Sequence, residues 1–180
     1  MKRAVPLIAT LLISTACGTT DEGDDAVSTP MQAAEAAAHA PTTTDQAEIL
    51  AVLQAFFDGL AGDPDLIANA VDPDIVMQST DARSGTAVFG SSTLEGLLQR
   101  VETGEAVMTE RMWDAEVRVA GALATIWAPY DFYIGSDFSH CGIDVATLMR
   151  RDGGWKIINL NWTRDVPPNC RLHPDGPPSD

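Results

Sequence analysis

Val117-Arg-Val-Ala-Gly-Ala-Leu-Ala-Thr-Ile-Trp127-Ala-Pro-Tyr-Asp-Phe-Tyr133, then Ser139-His-Cys-Gly-Ile-Asp144, then Gly153-Gly-Trp-Lys-Ile-Ile-Asn-Leu-Asn-Trp-Thr163, is the stretch that decides the fold of this chain. Trp113, Ala115, Val117 and Val119 alternate with Asp114, Glu116 and Arg118, the period-two pattern of a half-buried strand. Ala120-Gly121 is a hairpin signal, and Ala122 to Ile134 is apolar on both faces except at Asp131, as in a central strand. Pro129 inside that run predicts a bulge or bend. Gly135 to Ser139 is expected to turn the chain, Ile143 to Arg151 to return, Asp152-Gly153-Gly154 to turn again and Trp155 to Thr163 to close.

Upstream the periodicity changes to helical. Ile49, Leu53, Phe56 and Leu60, with Leu50 and Phe57 alongside, form one apolar stripe, and Asp45 with Glu48 has the spacing of a capping box. A second helix follows with Asp63 as cap and Pro64 at its first position. Ile75 to Ser79 and Ala87 to Phe89 read as short strands, with a polar rim loop from Thr80 to Gly85. Ser92 and Glu95 repeat the box before a third helix carrying Leu94, Leu97, Leu98 and Val101, which Gly104 stops. Helices that are segregated from long strands indicate an α+β domain, with helices packed on one face of a curved antiparallel sheet.

The phrases Val117-x-Val119-x-Gly121-x-Leu123-Ala124, Trp127-x-Pro129-Tyr130-Asp131-Phe132-Tyr133, Ser139-His140-Cys141-Gly142-x-Asp144 and Gly153-Gly154-Trp155-Lys156-Ile157 together resemble the nuclear transport factor 2-like superfamily, over roughly Asp45 to Thr163. Within it they look like the bacterial branch labelled SnoaL-like or putative lumazine-binding. The resemblance implies a cone-shaped fold with a pocket between the concave sheet face and the helices. The superfamily includes isomerases, dehydratases, cyclases and members without catalysis, so the resemblance implies no reaction.

Polar and aromatic residues on the strands are the candidates for that pocket: Tyr130, Asp131, His140, Asp144, Asn159 and Asn161, with Trp113, Trp127, Tyr133 and Trp162 as walls. Alternation places Asn159 with Asn161, and Asp131 with Tyr133 and Trp127, while Tyr130 looks the other way unless a bulge resets the count. An enzyme would use Asp131 or Asp144 as general base and Tyr130 or His140 as electrophile. The bland alternative is that these groups cap turns or fill the core. Small-molecule binding is the favoured expectation, because no motif supplies an activated nucleophile, a metal cage or a phosphate-cradling loop. A homodimer or a protein-docking module with Trp127 and Trp162 at its interface is the competing class. No cofactor and no metal is expected.

The N-terminus supplies an address. Lys2 and Arg3, an apolar core from Ala4 to Ile13 and the small residues Ser14-Thr15-Ala16 before Cys17 have the order of a bacterial secretion signal. A core of about ten residues is too short to span a bilayer of ~30 Å. Residues 1–16 are therefore expected to be cleaved. Either Cys17 is lipidated, as its resemblance to a lipobox implies, or an ordinary signal peptidase leaves it unmodified. Residues 17–44, acidic and rich in Ala and Thr, are expected to be a disordered tether, followed by the domain at 45–170 and a Pro-rich, solvated tail at 171–180. The expected location is the bacterial cell envelope, lipid-anchored with the domain in the periplasm or outside the cell, or else soluble and secreted.

In an oxidising compartment Cys141 and Cys170 are most simply a disulfide; the alternative is metal, with His140 beside Cys141. The 180 residues carry 26 acidic and 11 basic side chains, a formal net charge of −15. That balance argues against a nucleic-acid partner, which needs a positive stripe, and it disfavours electrostatic adsorption to an anionic membrane. The only membrane attachment expected is the N-terminal lipid.

Overall fold

A computed structural model describes residues 40–104 and 107–178. The expected signal sequence, Cys17 and the expected tether as far as residue 39 lie outside the described residues, as do residues 179–180. Among the described residues, three helices and seven strands form an α+β domain: α1 (Thr43–Leu60), α2 (Pro64–Ala70), β1 (Val71–Asp81), β2 (Val88–Ser92), α3 (Leu94–Thr103), β3 (Met108–Met112), β4 (Glu116–Ala120), β5 (Leu123–Ile134), β6 (Asp137–Arg151) and β7 (Gly154–Arg164). The strands make one curved sheet in the order β2-β1-β7-β6-β5-β3, with β4 also paired to β5. All pairings are antiparallel except β1 with β7.

The helix caps are shifted from their expected residues. Thr42, not Asp45, caps α1: its Oγ1 accepts from the Asp45 amide at 3.0 Å and donates to the Asp45 carboxylate at 2.8 Å. Asp45 is thereby the inner member of the box, and its carboxylate also holds Arg150 at 2.5 Å. Thr93, not Ser92, caps α3, and Gly104 closes it in the left-handed conformation at φ 59°. Asp63 and Pro64 start α2 as expected.

Ile49, Leu53, Phe56, Phe57 and Leu60 of α1 are all buried. Each such side chain contributes roughly 1.5–3 kcal/mol when fully buried, far more than the helix's intrinsic preference. The sheet face in the same core carries Ala124, Ile126, Ala128, Ala146, Leu148, Ile157 and Leu160, all at most 4% exposed. Three alanines in that row let the helix approach closely.

The expected strand from Trp113 to Val119 begins later, as β4, and β3 before it is a further strand that was not expected. β3 pairs with residues 130–134 of β5, β4 pairs with residues 123–127, and Asp114 between them takes a positive φ of 47°. Pro129 sits at this break, and its carbonyl accepts from the Trp113 amide at 3.3 Å. A residue without N–H suits the point where edge pairing is interrupted. The register shift lies instead at Phe132/Tyr133. β6 is also longer than expected, since the turn is confined to Gly135 and Ser136. His140 and Cys141 are therefore strand residues.

Candidate functional site

The inner face of the sheet is covered by helix only in part, and the uncovered part is a cavity of ≈420 Å³. Phe56 and Leu60 of α1, Leu97 of α3, and Met77, Met108, Phe132, Ile134, Leu160 and Trp162 of the sheet give it apolar walls. Its polar groups are Glu110, Asp144, His140, Ser139, Ser92 and three arginines, Arg83, Arg100 and Arg164.

Strand register explains how the acidic groups meet. Glu110 pairs with Phe132 and Phe132 with His140, so the three share the inner face. Tyr130, Gly142 and Asp144 are the next inner positions on β5 and β6. Gly142 carries no side chain, and none would fit: a Cβ there would lie 2.1 Å from the Thr163 carbonyl oxygen. That same carbonyl accepts the Tyr130 hydroxyl at 2.7 Å. With Gly142 bare and Tyr130 turned into the sheet, the Glu110 and Asp144 carboxyls reach hydrogen-bonding distance of each other.

Two carboxyls in contact, Asp144 buried and Glu110 half-buried, cannot both ionise at ordinary cost. Burial, opposed by the bond to Asp144 and by Arg164, pushes Glu110 up to about 7. Burial and then the Glu110 charge raise Asp144 well above the usual carboxylate range. Asp144 is 1% exposed, yet its Oδ2 receives no hydrogen bond among the described residues. At neutral pH the pair thus holds a shared proton, and no N–H or hydroxyl of the described residues donates to Asp144. His140 is pushed down to about 4, first by burial and then by Arg164 and Arg83, so it is neutral; its Nδ1 lies 2.9 Å from the Ser139 hydroxyl and its ring stacks on Phe132. Burial, with the nearby carboxylates, raises Tyr130 far above its usual value, so its hydroxyl keeps its proton.

The other expected pocket residues are elsewhere. Asp131 projects to the outer face, fully buried, where Arg111 grips it with two bonds of 3.0 and 2.7 Å and the His173 amide donates a third at 3.0 Å. Tyr133 contacts Arg111 and Phe138, and Trp113 meets the His173 ring edge-on. Asn159 and Asn161 hydrogen-bond to each other, outside the cavity lining. Trp127 is 53% exposed. Tyr130 faces inward but lies beneath the cavity floor rather than lining it. Of the expected set the cavity brings together Asp144, His140 and Trp162, and it adds Glu110 and the arginines, which sequence reasoning missed. The alternation of Met108, Glu110 and Met112 was the available signal for Glu110.

The outer face carries a strap. Cys141 and Cys170 form a disulfide across 29 positions, Cys141 also exchanges backbone bonds with Asp165, and Arg171 lies 3.9 Å from Asp114. The segment after Cys170, expected to trail in solvent, is thus held on the sheet as far as His173. Among the described residues no three His, Cys, Asp or Glu gather as a metal site.

Helices packed on a curved sheet, with a cavity between them, define the nuclear transport factor 2-like fold. Residues 44–163 match the model of the family described as putative lumazine-binding, and the chain belongs to that family. Solved structures agree on the fold. A Kribbella flavida protein is 17% identical, with 67% of this chain and 90% of that one covered at a TM-score of 0.56. A nuclear transport factor 2-like protein from Cytophaga hutchinsonii is 15% identical over 69% and 99% at 0.54, and a Nostoc punctiforme protein with a cystatin-like fold is 16% identical over 70% and 96% at 0.54. No curated protein matches the sequence.

Proposed function

We propose that this domain binds a small, flat, mostly apolar molecule in the cone cavity, held at one polar edge by the Glu110–Asp144 pair. The observation that carries the reading is the buried Asp144 carboxyl on the wall of an apolar cavity of ligand size, which meets a second carboxyl but no N–H or hydroxyl donor among the described residues. A buried acceptor without a donor costs about 1–3 kcal/mol, and a ligand N–H would recover it. A carboxyl–carboxylate pair offers one donor and several acceptors side by side. That pattern complements an N–H/C=O edge, the edge displayed by lumazine, the fused heterocycle in the family's name. Native mass spectrometry of the matured chain, gently purified from an oxidising compartment, tests for a retained small molecule. Lumazine is the first probe: at a hundred times its Kd it should raise stability by about 2.7 kcal/mol, read as a rise in Tm. No retained molecule and no Tm response to lumazine or related N–H/C=O heterocycles would count against the reading.

The second reading is general acid–base catalysis, favoured by Glu110 at about 7 beside a second carboxyl. It predicts a Glu110→Gln variant that still binds ligand but no longer turns it over; identical turnover in that variant excludes it.

The proposed setting is the bacterial envelope, with the domain tethered through lipidated Cys17. Radiolabelled palmitate should label the wild type and not Cys17→Ala; equal labelling would contradict the anchor.

A further inference from the structure

We infer that the ligand of this cavity carries one anionic group, seated at the end formed by Arg164, Arg100 and Arg83. The inference rests on the cavity being the binding site and adds the charge class of what it binds.

Eleven basic residues serve the whole chain, and setting aside Lys2 and Arg3 leaves nine. Three of those nine line one cavity in a protein of formal charge −15, which is a concentration of cations against the overall balance. Chain geometry brings them from three elements. Arg164 ends β7 directly opposite Asp81, Arg83 follows two residues later in the loop after β1, and Arg100 comes from the last turn of α3. Packing alone does not explain the cluster, because an arginine kept only for packing finds carboxylates or carbonyls for its donors.

Their partners differ. Arg83 is occupied by Asp81, with bonds at 2.9 and 2.5 Å. Neither Arg100 nor Arg164 has an ion-pair partner within 4.0 Å among the described residues. Arg164 lies with its guanidinium 5.6 Å from the Trp162 ring centroid, and its buried Nε–H finds no acceptor among the described residues. A guanidinium steadied against an aromatic wall with an unused donor is pre-organised for a carboxylate or phosphate oxygen.

Counting charges sets the valence. Asp81 cancels Arg83, the Glu110–Asp144 pair with its shared proton cancels one more arginine, and His140 is neutral. One positive charge remains, which suits a monoanion. The ligand is then a flat acid whose ring sits against Phe132 and Trp162, its polar edge at the carboxyl pair and its anion at Arg164.

Isothermal titration of the full chain with 2-naphthoate and with its neutral isostere 2-naphthamide tests this. The wild type should bind the naphthoate about tenfold or more tightly than the amide, as expected for one charge-assisted bond. Arg164→Gln should erase the preference. Arg100→Gln, on an exposed helix surface, should reduce it and guards against a folding defect at Arg164. Equal affinity for both probes, or a preference that survives both variants, overturns the anionic end while leaving the cavity as a binding site. Binding of neither probe would overturn both.

Discussion

Asp131 on β5 and Asp144 on β6 are both strand aspartates with 0–1% exposure, and they face opposite sides of one sheet. Asp131 accepts three hydrogen bonds, two from Arg111 and one from the His173 amide, and the strap covers it. Asp144 has a second carboxyl for a neighbour and no N–H or hydroxyl donor among the described residues. Burial is therefore not what marks a functional carboxylate. The outer aspartate is satisfied by its own chain and serves the fold; the inner one is left for something the chain does not supply.

Removing the outer group should have the largest effect on stability. Asp131→Ala leaves Arg111, itself 20% exposed, without its partner and frees the strap at His173, a loss of about 3–5 kcal/mol in chemical denaturation. A loss below about 1 kcal/mol would make the outer contact ornamental and break the contrast. Next in size is the disulfide. Closing a loop with a sequence separation of 29 is worth roughly 3–4 kcal/mol in the chain-entropy account, so Cys170→Ser should lower stability by up to that amount. Because the strap lies on the far face from the cavity, ligand affinity should hold within about twofold.

The inner face should respond in the opposite sense. Asp144→Asn removes a carboxyl that is costly to ionise, so at pH 7.5 stability should be unchanged or higher by about 1 kcal/mol, while ligand affinity falls about tenfold or more. The smallest effect is a pH slope. Glu110 has its folded value raised to about 7 from 4.5, so the native state holds more protons than the unfolded one between those values, and stability falls as pH rises through that window. His140, lowered to about 4 from 6.5, works the other way: stability is lost as pH falls through 6.5 towards 4. The two partly cancel in the wild type. The Tm of Glu110→Gln minus that of wild type should therefore grow by a few degrees from pH 5 to pH 8. A pH-independent difference would mean an ordinary Glu110.

Much of this fold could be read from the sequence because its signals are repeated. The α1 stripe, the Gly104 stop and the Gly153-Gly154 turn each follow from residue chemistry, and Cys141 and Cys170 form the expected disulfide. The site was less legible. Alternation correctly separated Tyr130 from Asp131 and Tyr133, but a period of two sorts residues into faces without saying which face the helices cover. The row Ala124, Ile126, Ala128, small enough to admit a helix, marks the inner face and places Asp131 outside. Glu110 stayed hidden because β3 is a five-residue edge strand, half-buried throughout and carrying Glu and Arg side by side. The arginine cluster depends on where β1, β7 and α3 end in space, which no local pattern encodes.

The most direct test follows the tryptophan indole N–H signals by NMR while the full chain is titrated with a bound heterocycle or 2-naphthoate. Trp162 lines the cavity, whereas Trp113 lies under the strap and Trp127 is exposed on the outer face. The expected result is a saturable shift of Trp162 with Trp113 and Trp127 unmoved, and its loss in Asp144→Asn. A saturable shift of Trp127 or Trp113 with Trp162 unmoved would place binding on the outer face and contradict the division of labour between the two aspartates.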